Sequence, residues 1–329
     1  MAHQIETPAR APALIHDTDT YCLRIEDLPV PGANSSEEHL VLVKAVALTN
    51  GELRWPEPVS CSPAIPGYEV SGSVISAPAG SPFPVGSEVY ARTSFDRQGN
   101  ARQYSLALTR ELGHKPKNIS WSQAATVPLS ALTAWQALFV HGGFALPGGD
   151  TAKNATKRIL ITAASGGVGI WAIQLARLAG IGEIIGTCGP ANLEFVKSLG
   201  AHEAVDYRKH KDLSVWVDSR GCDKFDVVID GVGEAGLEQA LMCVKERGLL
   251  ISIVTPPHTK KPHPGVEKEV NGLFFIVEAD SSQLREISGL LERGECRAVV
   301  DSEYRLEDYM KAFEKLQGGH LTGKVVLNL

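Results

Sequence analysis

The segment from Ile159 to Gly180, ILITAASGGVGIWAIQLARLAG, joins an apolar run to an apolar-periodic helix through a glycine turn. The run ends at Ala164, small residues follow, and the helix begins near Val168, so its free N–H groups face whatever anion lies beyond the strand. Gly166 and Gly167 let the backbone approach a pyrophosphate, and Gly169 lets the helix pack against the strand. Ala164 stands where the usual GxGxxG pattern has its first glycine, and Ser165 adds a hydroxyl beside it. A glycine-rich turn in some other α/β sheet is the competing reading.

The chain beyond the turn favours a nucleotide site, because strands and helices continue to alternate. Glu183–Thr187 reads as a second strand, Ala191–Leu199 as a helix closed by Gly200, and Phe225–Asp230 as a third apolar run. Leu237–Val244 then reads as helix and Gly248–Val254 as strand. This alternation predicts a doubly wound parallel sheet whose ligand crevice lies past the strand C-termini. Ala163 to Val168, Thr187, Gly231 to Gly233, Val254 and Thr255 would surround it.

Length and charge narrow the alternatives. At 329 residues the chain can hold two domains, and a formal charge of −6 gives no basic footprint for nucleic acid. No stretch reaches about 18 uninterrupted apolar residues, and the first ten residues include polar and charged ones, so neither a membrane span nor a signal peptide is expected. A cytoplasmic location follows as the expectation. Six cysteines, at 22, 61, 188, 222, 243 and 296, have no CxxC spacing, which argues against a structural zinc lobe and a disulfide framework. They read as small apolar fillers, with Cys188 placed nearest the predicted crevice. His141, His202, His258 and His263 are scattered and read as solvated.

Residues 20 to 110 have another texture: short alternating segments at His39–Val46, Glu69–Ile75, Gly86–Tyr90 and Ala101–Leu106, punctuated by Gly and Pro. That pattern predicts a β-rich, barrel-like unit. Residues 122 to 139 read as helix broken at Pro128, and Leu146–Thr156 as a surface loop. Near the C-terminus come a helix at Ser282–Glu292, a strand at Arg297–Val300, a helix at Leu306–Leu316 and a closing strand at Gly323–Leu329.

Several of these pieces, in this order, resemble one family over almost the whole chain. They are VALTNGELRW from Val46, PGYEVSG from Pro66, VGSEVY from Val85, PLSALTAW from Pro128 and the Ala163–Gly169 turn. SLGAHEAVDY from Ser198, DVVIDGVG from Asp226 and GKVV from Gly323 complete the set. The chain is similar to the zinc-independent, quinone-oxidoreductase-like branch of the medium-chain dehydrogenase/reductase superfamily. The resemblance implies an α/β fold: a GroES-like β-barrel catalytic domain over 1–127 and 274–329, a Rossmann nucleotide-binding domain over 128–273, and an active site in the cleft between them.

The catalytic zinc ligands of metal-containing relatives fall at Thr49, Tyr68 and Leu129. A hydroxyl, a phenol and an alkyl group cannot make a durable tetrahedral zinc set. The resemblance therefore implies metal-free hydride transfer from NADPH to a quinone or α,β-unsaturated carbonyl. Candidates for placing or protonating the substrate oxygen are Thr49, Asn50, Glu52 and Tyr68, with Glu52 alternatively organising the site through Arg54 or backbone amides. A half-buried tyrosine bonded to backbone is the alternative for Tyr68. The remaining Glu69 is a single carboxylate and makes no metal site, Trp55 is expected to pack on the barrel or the substrate mouth, and the segment 55–60 offers no second tyrosine.

For the cofactor the resemblance implies Thr133, Ser165, Gly166, Gly167, Val168, Thr187, Asn192, Tyr207, Val254, Phe275, Val277 and Lys324. The second strand ends in Thr187-Cys188-Gly189 without the carboxylate that NAD sites place there, so a 2′-phosphate meets no repulsion, and Arg208 or Lys209 would supply positive charge. A homodimer is expected through the edge strand near Leu249–Val254 or its neighbour. An NADPH-sensing protein or a non-redox cyclase or isomerase on the same scaffold is the rival function.

Overall fold

The computed structural model describes residues 7–55, 64–221, 223–257 and 269–329. Cys61, Cys222, His258, His263 and most of the segment 55–60 lie outside the described residues. The chain divides into two compact units, Met1–Leu132 with Glu278–Leu329, and Thr133–Val277.

The first unit opens with β1 (Arg10–His16), β2 (Leu23–Pro29), β3 (Glu38–Leu48), β4 (Glu69–Ser76), β5 (Glu88–Arg92), β6 (Tyr104–Leu108) and β7 (Leu112–His114). Helices α1 (Trp121–Ala125) and α2 (Pro128–Trp135) follow, the boundary between the units falling within α2 after Leu132. The second unit contains β8 (Arg158–Ile161), α3 (Gly167–Leu178), β9 (Glu183–Cys188), α4 (Leu193–Ser198), β10 (Glu203–Asp206) and α5 (Leu213–Ser219). It continues with β11 (Phe225–Asp230), α6 (Glu234–Cys243), β12 (Val244–Ser252) and β13 (Asn271–Phe274). The chain then completes the first unit with α7 (Ser281–Glu292), β14 (Val300–Arg305), α8 (Tyr309–Gln317) and β15 (Lys324–Asn328).

In the first unit the strands run in the order β14-β15-β3-β4-β5-β7, with β6 also on β3, and β1 pairs separately with β2. This is the β-rich unit the sequence pattern expected, a mixed sheet whose ends, among the described residues, do not pair to close a barrel. β3 is covered on both faces: Val41, Val43 and Val46 belong to one apolar cluster, while Ala45 and Ala47 pack with Ala125 and Val326. Alanine at 45, 47 and 125 is what allows α1 to lie close on the sheet.

The second unit is a six-stranded sheet in the order β10-β9-β8-β11-β12-β13, parallel at every pair. Ile159, Leu160 and Ile161 are fully buried, the reason β8 reads as a continuous apolar run rather than an alternating one. The chain steps from β8 out to β9 and β10, then returns to lay β11 on the other side of β8. β8 and β11 therefore flank the switch point, where such sheets open a crevice.

Several elements depart from the sequence reading. β10 is short and β2 is polar, with Glu26 and Asp27 on an exposed strand, so neither carries an apolar pattern, while β1, with buried Ala13, Leu14 and Ile15, was not singled out. β14 begins at Val300 and runs to Arg305 where the sequence suggested Arg297–Val300, because its residues are mostly half-exposed and no apolar stripe marks them. The expected helix through 139 passes into a wider π-helical turn at Gln136–His141. The expected loop over 146–156 contains a 3₁₀ turn, Thr151–Thr156, anchored by buried Asn154, whose amide bonds the carbonyls of Ala145 and Ala179. β12 lies inside the sheet and β13 forms its edge, so of the two dimer strands considered, only the neighbour is exposed at an edge.

Candidate active site

At the carboxyl ends of β8 and β11 the second unit builds the glycine turn from its own backbone constraints. Ala163, with φ of 50°, takes the left-handed conformation that glycine adopts without penalty, and Gly166 accepts the first helical amide as the N-cap of α3. The strained position is thus Ala163; Ala164 is buried and faces Gly186. Replacing Ala163 with glycine is expected to raise stability by about 1 kcal/mol, read by urea unfolding, since an L-residue at positive φ costs about that much; no gain would show that the strain is absorbed elsewhere. Gly169 is fixed by proximity: a Cβ there would lie 2.4 Å from the Ala163 carbonyl oxygen and 2.6 Å from the Ala164 Cα.

Opposite the turn, fully buried Asp230 ties the ends of three strands together. Its Oδ1 accepts from Thr162 Oγ1 at 3.0 Å and Val232 N–H at 3.2 Å, and its Oδ2 from Gly233 N–H at 3.0 Å and Ser252 Oγ at 3.3 Å. Thr162 in turn accepts from the Gly231 amide, and Ser252 from those of Val254 and Thr255. Sequence reasoning placed these loops but not the carboxylate that holds them. An Asp closing an apolar strand immediately before a glycine was the available signal.

The residues assigned to a cofactor fall mostly in this unit. Ser165, Gly166, Gly167 and Val168 form the turn and first residues of α3, and Thr187 is buried near the end of β9. Asn192 closes a 3₁₀ turn after β9, exposed Tyr207 follows β10 with the Arg208 guanidinium 5.9 Å from its ring centre, and exposed Val254 follows β12. Phe275 and Val277 follow the edge strand β13, where the Phe275 ring lies 4.5 Å from that of His141. Thr133 is buried in α2. Cys188 is buried at the end of β9, and burial pushes its thiol up to about 11, which leaves it unreactive at neutral pH.

Lys324 differs from that set, because its ammonium belongs to a buried cluster within the first unit. β15 runs antiparallel to β3 with Val325 opposite Leu48, a register that brings Lys324 beside Thr49, while Glu69 stands opposite Ala47 on β4. Lys324 Nζ lies 2.7 Å from Glu69 Oε1 and donates to Thr49 Oγ1 at 2.7 Å. Glu69 Oε2 accepts from the Leu129 amide at 3.1 Å, at the start of α2, where unpaired helix N–H groups favour an anion. Gly323 sets the approach, since its φ is +94° and a Cβ would sit 2.4 Å from the Val299 carbonyl oxygen.

Glu52 completes the cluster. Its Oε2 accepts from the Thr49 amide at 3.2 Å, whereas Oε1 is buried without a hydrogen-bond partner. Glu52 thus bonds a backbone amide through one carboxyl oxygen and leaves the other uncommitted. Burial pushes its carboxyl up to about 8, against the opposing pull of Lys324 and the Thr49 amide; the nearby Glu69 adds to the rise. Burial likewise raises Glu69, opposed by its lysine.

A carboxyl lifted from 4.5 to about 8 binds more protons folded than unfolded between those values. Its contribution to stability is thus present below the unfolded range and lost as pH rises to about 8, at about 1.4 kcal/mol per pH unit. Glu52→Gln is expected to remove that slope in unfolding free energies measured from pH 5 to 8; parallel curves for the two proteins would refute the assignment.

Tyr68 is buried in an aromatic group, stacked on Trp55 at 5.8 Å and edge-on to Phe95 at 5.1 Å, with the Arg92 guanidinium 4.0 Å from the Phe95 ring centre. Asn50 is exposed. The structure thus joins Thr49, Glu52 and Lys324, and adds Glu69, which a lone carboxylate in the sequence did not single out. Only the strand register reveals its partner.

These residues do not suit zinc. The Glu69 carboxylate and Thr49 hydroxyl already engage an ammonium, and among the described residues no group of three or more His, Cys, Asp or Glu could hold a metal ion.

With this geometry in view, the relatives fall into one group. Residues 199–327 match the family described as zinc-binding dehydrogenase. The chain is 43% identical over 332 residues to a probable mitochondrial zinc-binding oxidoreductase of Arthroderma benhamiae, covering all of both chains. It is 31% identical to the chloroplastic NADPH-dependent alkenal/one oxidoreductase of Arabidopsis thaliana, over 88% of this chain and 72% of that one. Its fold superposes on the quinone oxidoreductase of Coxiella burnetii with a TM-score of 0.82 at 25% identity, over 97% of this chain and 99% of the other. An all-parallel sheet with its glycine turn at the switch point, and full-length likeness to these oxidoreductases, lead to one conclusion: the chain belongs to the quinone-oxidoreductase-like branch of the medium-chain dehydrogenase/reductase superfamily.

Proposed function

We propose that this protein is an NADPH-dependent reductase of quinones or α,β-unsaturated carbonyls that works without a metal. The observation that carries the reading is the Ser165–Val168 turn, whose backbone amides open α3 at the switch point of the parallel sheet. When bound, the reduced nicotinamide supplies the hydride. In this reading Ser165, Gly166, Gly167 and Val168 take the pyrophosphate, and Thr187, Asn192 and Tyr207 the adenosine side. Thr133, Val254, Phe275 and Val277 take the nicotinamide side, with Lys324 the remaining candidate from the family resemblance. Thr49, Asn50, Glu52 and Tyr68 serve the substrate oxygen. The first unit, with its C-terminal return, is assigned the catalytic role.

NADPH is preferred over NADH because β9 ends in Thr187-Cys188-Gly189, with no carboxylate of its own to repel a 2′-phosphate, and Arg208 follows the neighbouring strand β10, whose Asp206 pairs with Cys188. We assign a homodimer formed through β13, the edge of the sheet, and a cytoplasmic location. Sedimentation and cell fractionation test these, the latter against the organelles named for the fungal and plant relatives.

The test is NADPH oxidation at 340 nm with a panel of simple quinones and enones, beside a fluorescence titration of NADPH. Turnover supports the reductase; tight binding with no oxidation across the panel transfers the reading to an NADPH sensor or a non-redox isomerase. Gly166→Asp is expected to fold normally and lose NADPH affinity by at least about 10²-fold. Aspartate is a favoured N-cap, and Gly166 has an extended backbone that any residue adopts, but the new carboxylate would face phosphate oxygens. Retained affinity would remove the turn from the binding site.

A further inference from the structure

Two buried carboxyls share one ammonium, and this count decides where a proton resides. Among the described residues, Glu52 is faced by Lys324 from β15 and by Glu69 from β4. Glu69 has the ammonium at 2.7 Å and the Leu129 amide at 3.1 Å, so it is the carboxylate of the pair. Glu52 has the Thr49 amide on Oε2 and a weaker pull from the Gly67 amide, no direct bond to the ammonium and no hydrogen-bond partner on Oε1, and only 8% of the residue is exposed, the environment of a neutral acid. A lysine ammonium can only donate, so Thr49 Oγ1 must accept from Lys324 and its own proton must point to a different acceptor. One short segment, 49 to 52, thus carries a hydroxyl of fixed polarity and a buried acid with an uncommitted oxygen.

We propose that Lys324 and Glu69 are a positioning pair that commits the Thr49 O–H to the oxygen of a conjugated carbonyl substrate and keeps Glu52 as the acid that protonates the reduced product. This rests on the reductase reading. Hydride addition to the acceptor carbon shifts the C=C π pair into a new double bond to the carbonyl carbon and the C=O π pair onto the carbonyl oxygen, which accepts the Thr49 hydrogen bond as its charge grows. The Glu52 O–H bond breaks, its proton passes to the enolate or hydroquinone anion, and the new carboxylate is held by Lys324 until water reprotonates it. The acceptor gains two electrons with the hydride and one proton from Glu52, and the nicotinamide is oxidised by two electrons.

The first arm of the test needs no cofactor. Infrared difference spectra of the free protein are expected to show a buried protonated carboxyl that titrates near about pH 8 and is missing in Glu52→Gln. Glu69→Gln removes the negative charge that helps hold the proton on Glu52 and lowers the midpoint; Lys324→Met removes the larger opposing charge and raises it, each by about 1 unit. In the second arm the alkaline limb of kcat/KM moves in the same two directions. Thr49→Val lowers kcat by about 10²-fold with KM little changed, and Thr49→Ser, which retains the hydroxyl, restores most of it. A carboxyl band that persists in Glu52→Gln, a midpoint that Glu69→Gln leaves in place, or full turnover in Thr49→Val overturns the proposal. Wild-type protein that oxidises no NADPH with any acceptor overturns the reductase reading, and the proton step with it, even where the carboxyl titrates as expected.

Discussion

Asp230→Ala is expected to lower the free energy of unfolding by at least about 3 kcal/mol, measured by urea titration with an unchanged m-value. The carboxylate is fully buried and accepts four hydrogen bonds, from Thr162, Val232, Gly233 and Ser252. Truncation leaves four donors around a small cavity, and each buried orphan costs about 1–3 kcal/mol before relaxation. Neighbouring hydroxyls can turn to recover part of this, which is why the expected total lies well below four full penalties. Asp230→Asn should fall between wild type and alanine, because the amide keeps one acceptor oxygen but points its NH₂ at groups that also donate. The loops at 231–233 and 254–255 hang on the same residue, so nucleotide affinity should weaken with stability. A loss under 1 kcal/mol for the alanine variant would mean that the strand ends are held by packing alone.

Lys324→Met is expected to cost about 3–5 kcal/mol, because it leaves the buried Glu69 carboxylate without its counter-charge. Glu69→Gln in the same protein should recover much of that loss: the amide oxygen still accepts from the Leu129 N–H, and no charge remains to be desolvated. The deficit of the single variant should shrink on acidification. Unpaired and buried, Glu69 has a folded-state pKa above its unfolded value, so its penalty is absent below about pH 4.5 and grows as pH rises. Strict additivity of the two substitutions would show that methionine harms the protein by shape alone.

How far the sequence could be read follows from what each element contacts. The glycine turn, the apolar strand Phe225–Asp230 and the Gly248–Ser252 half of β12 were legible because they are largely buried, and buried parallel strands write themselves as continuous apolar runs; the start of β12, where Glu246 and Arg247 are exposed, carries no such run, and Val244 read as the end of a helix. The same holds for α7, whose buried Leu284, Ile287, Leu290 and Leu291 follow helical spacing. The elements that escaped were edges. No residue of β13 or β14 is buried, and polar residues there satisfy the backbone as well as apolar ones would. At the glycine turn the motif could be aligned, yet the residue bearing positive φ proved to be Ala163, one position before the substituted glycine the pattern suggested.

The sequence alone determined the alternation of elements and the glycine turn that opens α3, since these depend on local periodicity and on the chemistry of single side chains, while the comparison of Thr49 and Tyr68 with zinc-ligand positions came from the family resemblance. Only the tertiary structure decided that Lys324, Glu69, Thr49 and Glu52 form one buried charge system. Residues 49 and 324 are separated by 275 positions, and nothing in either local pattern encodes the antiparallel register of β3 and β15 that sets them side by side. A lysine, two glutamates and a threonine become chemically coupled once burial removes the water that would otherwise screen each from the others.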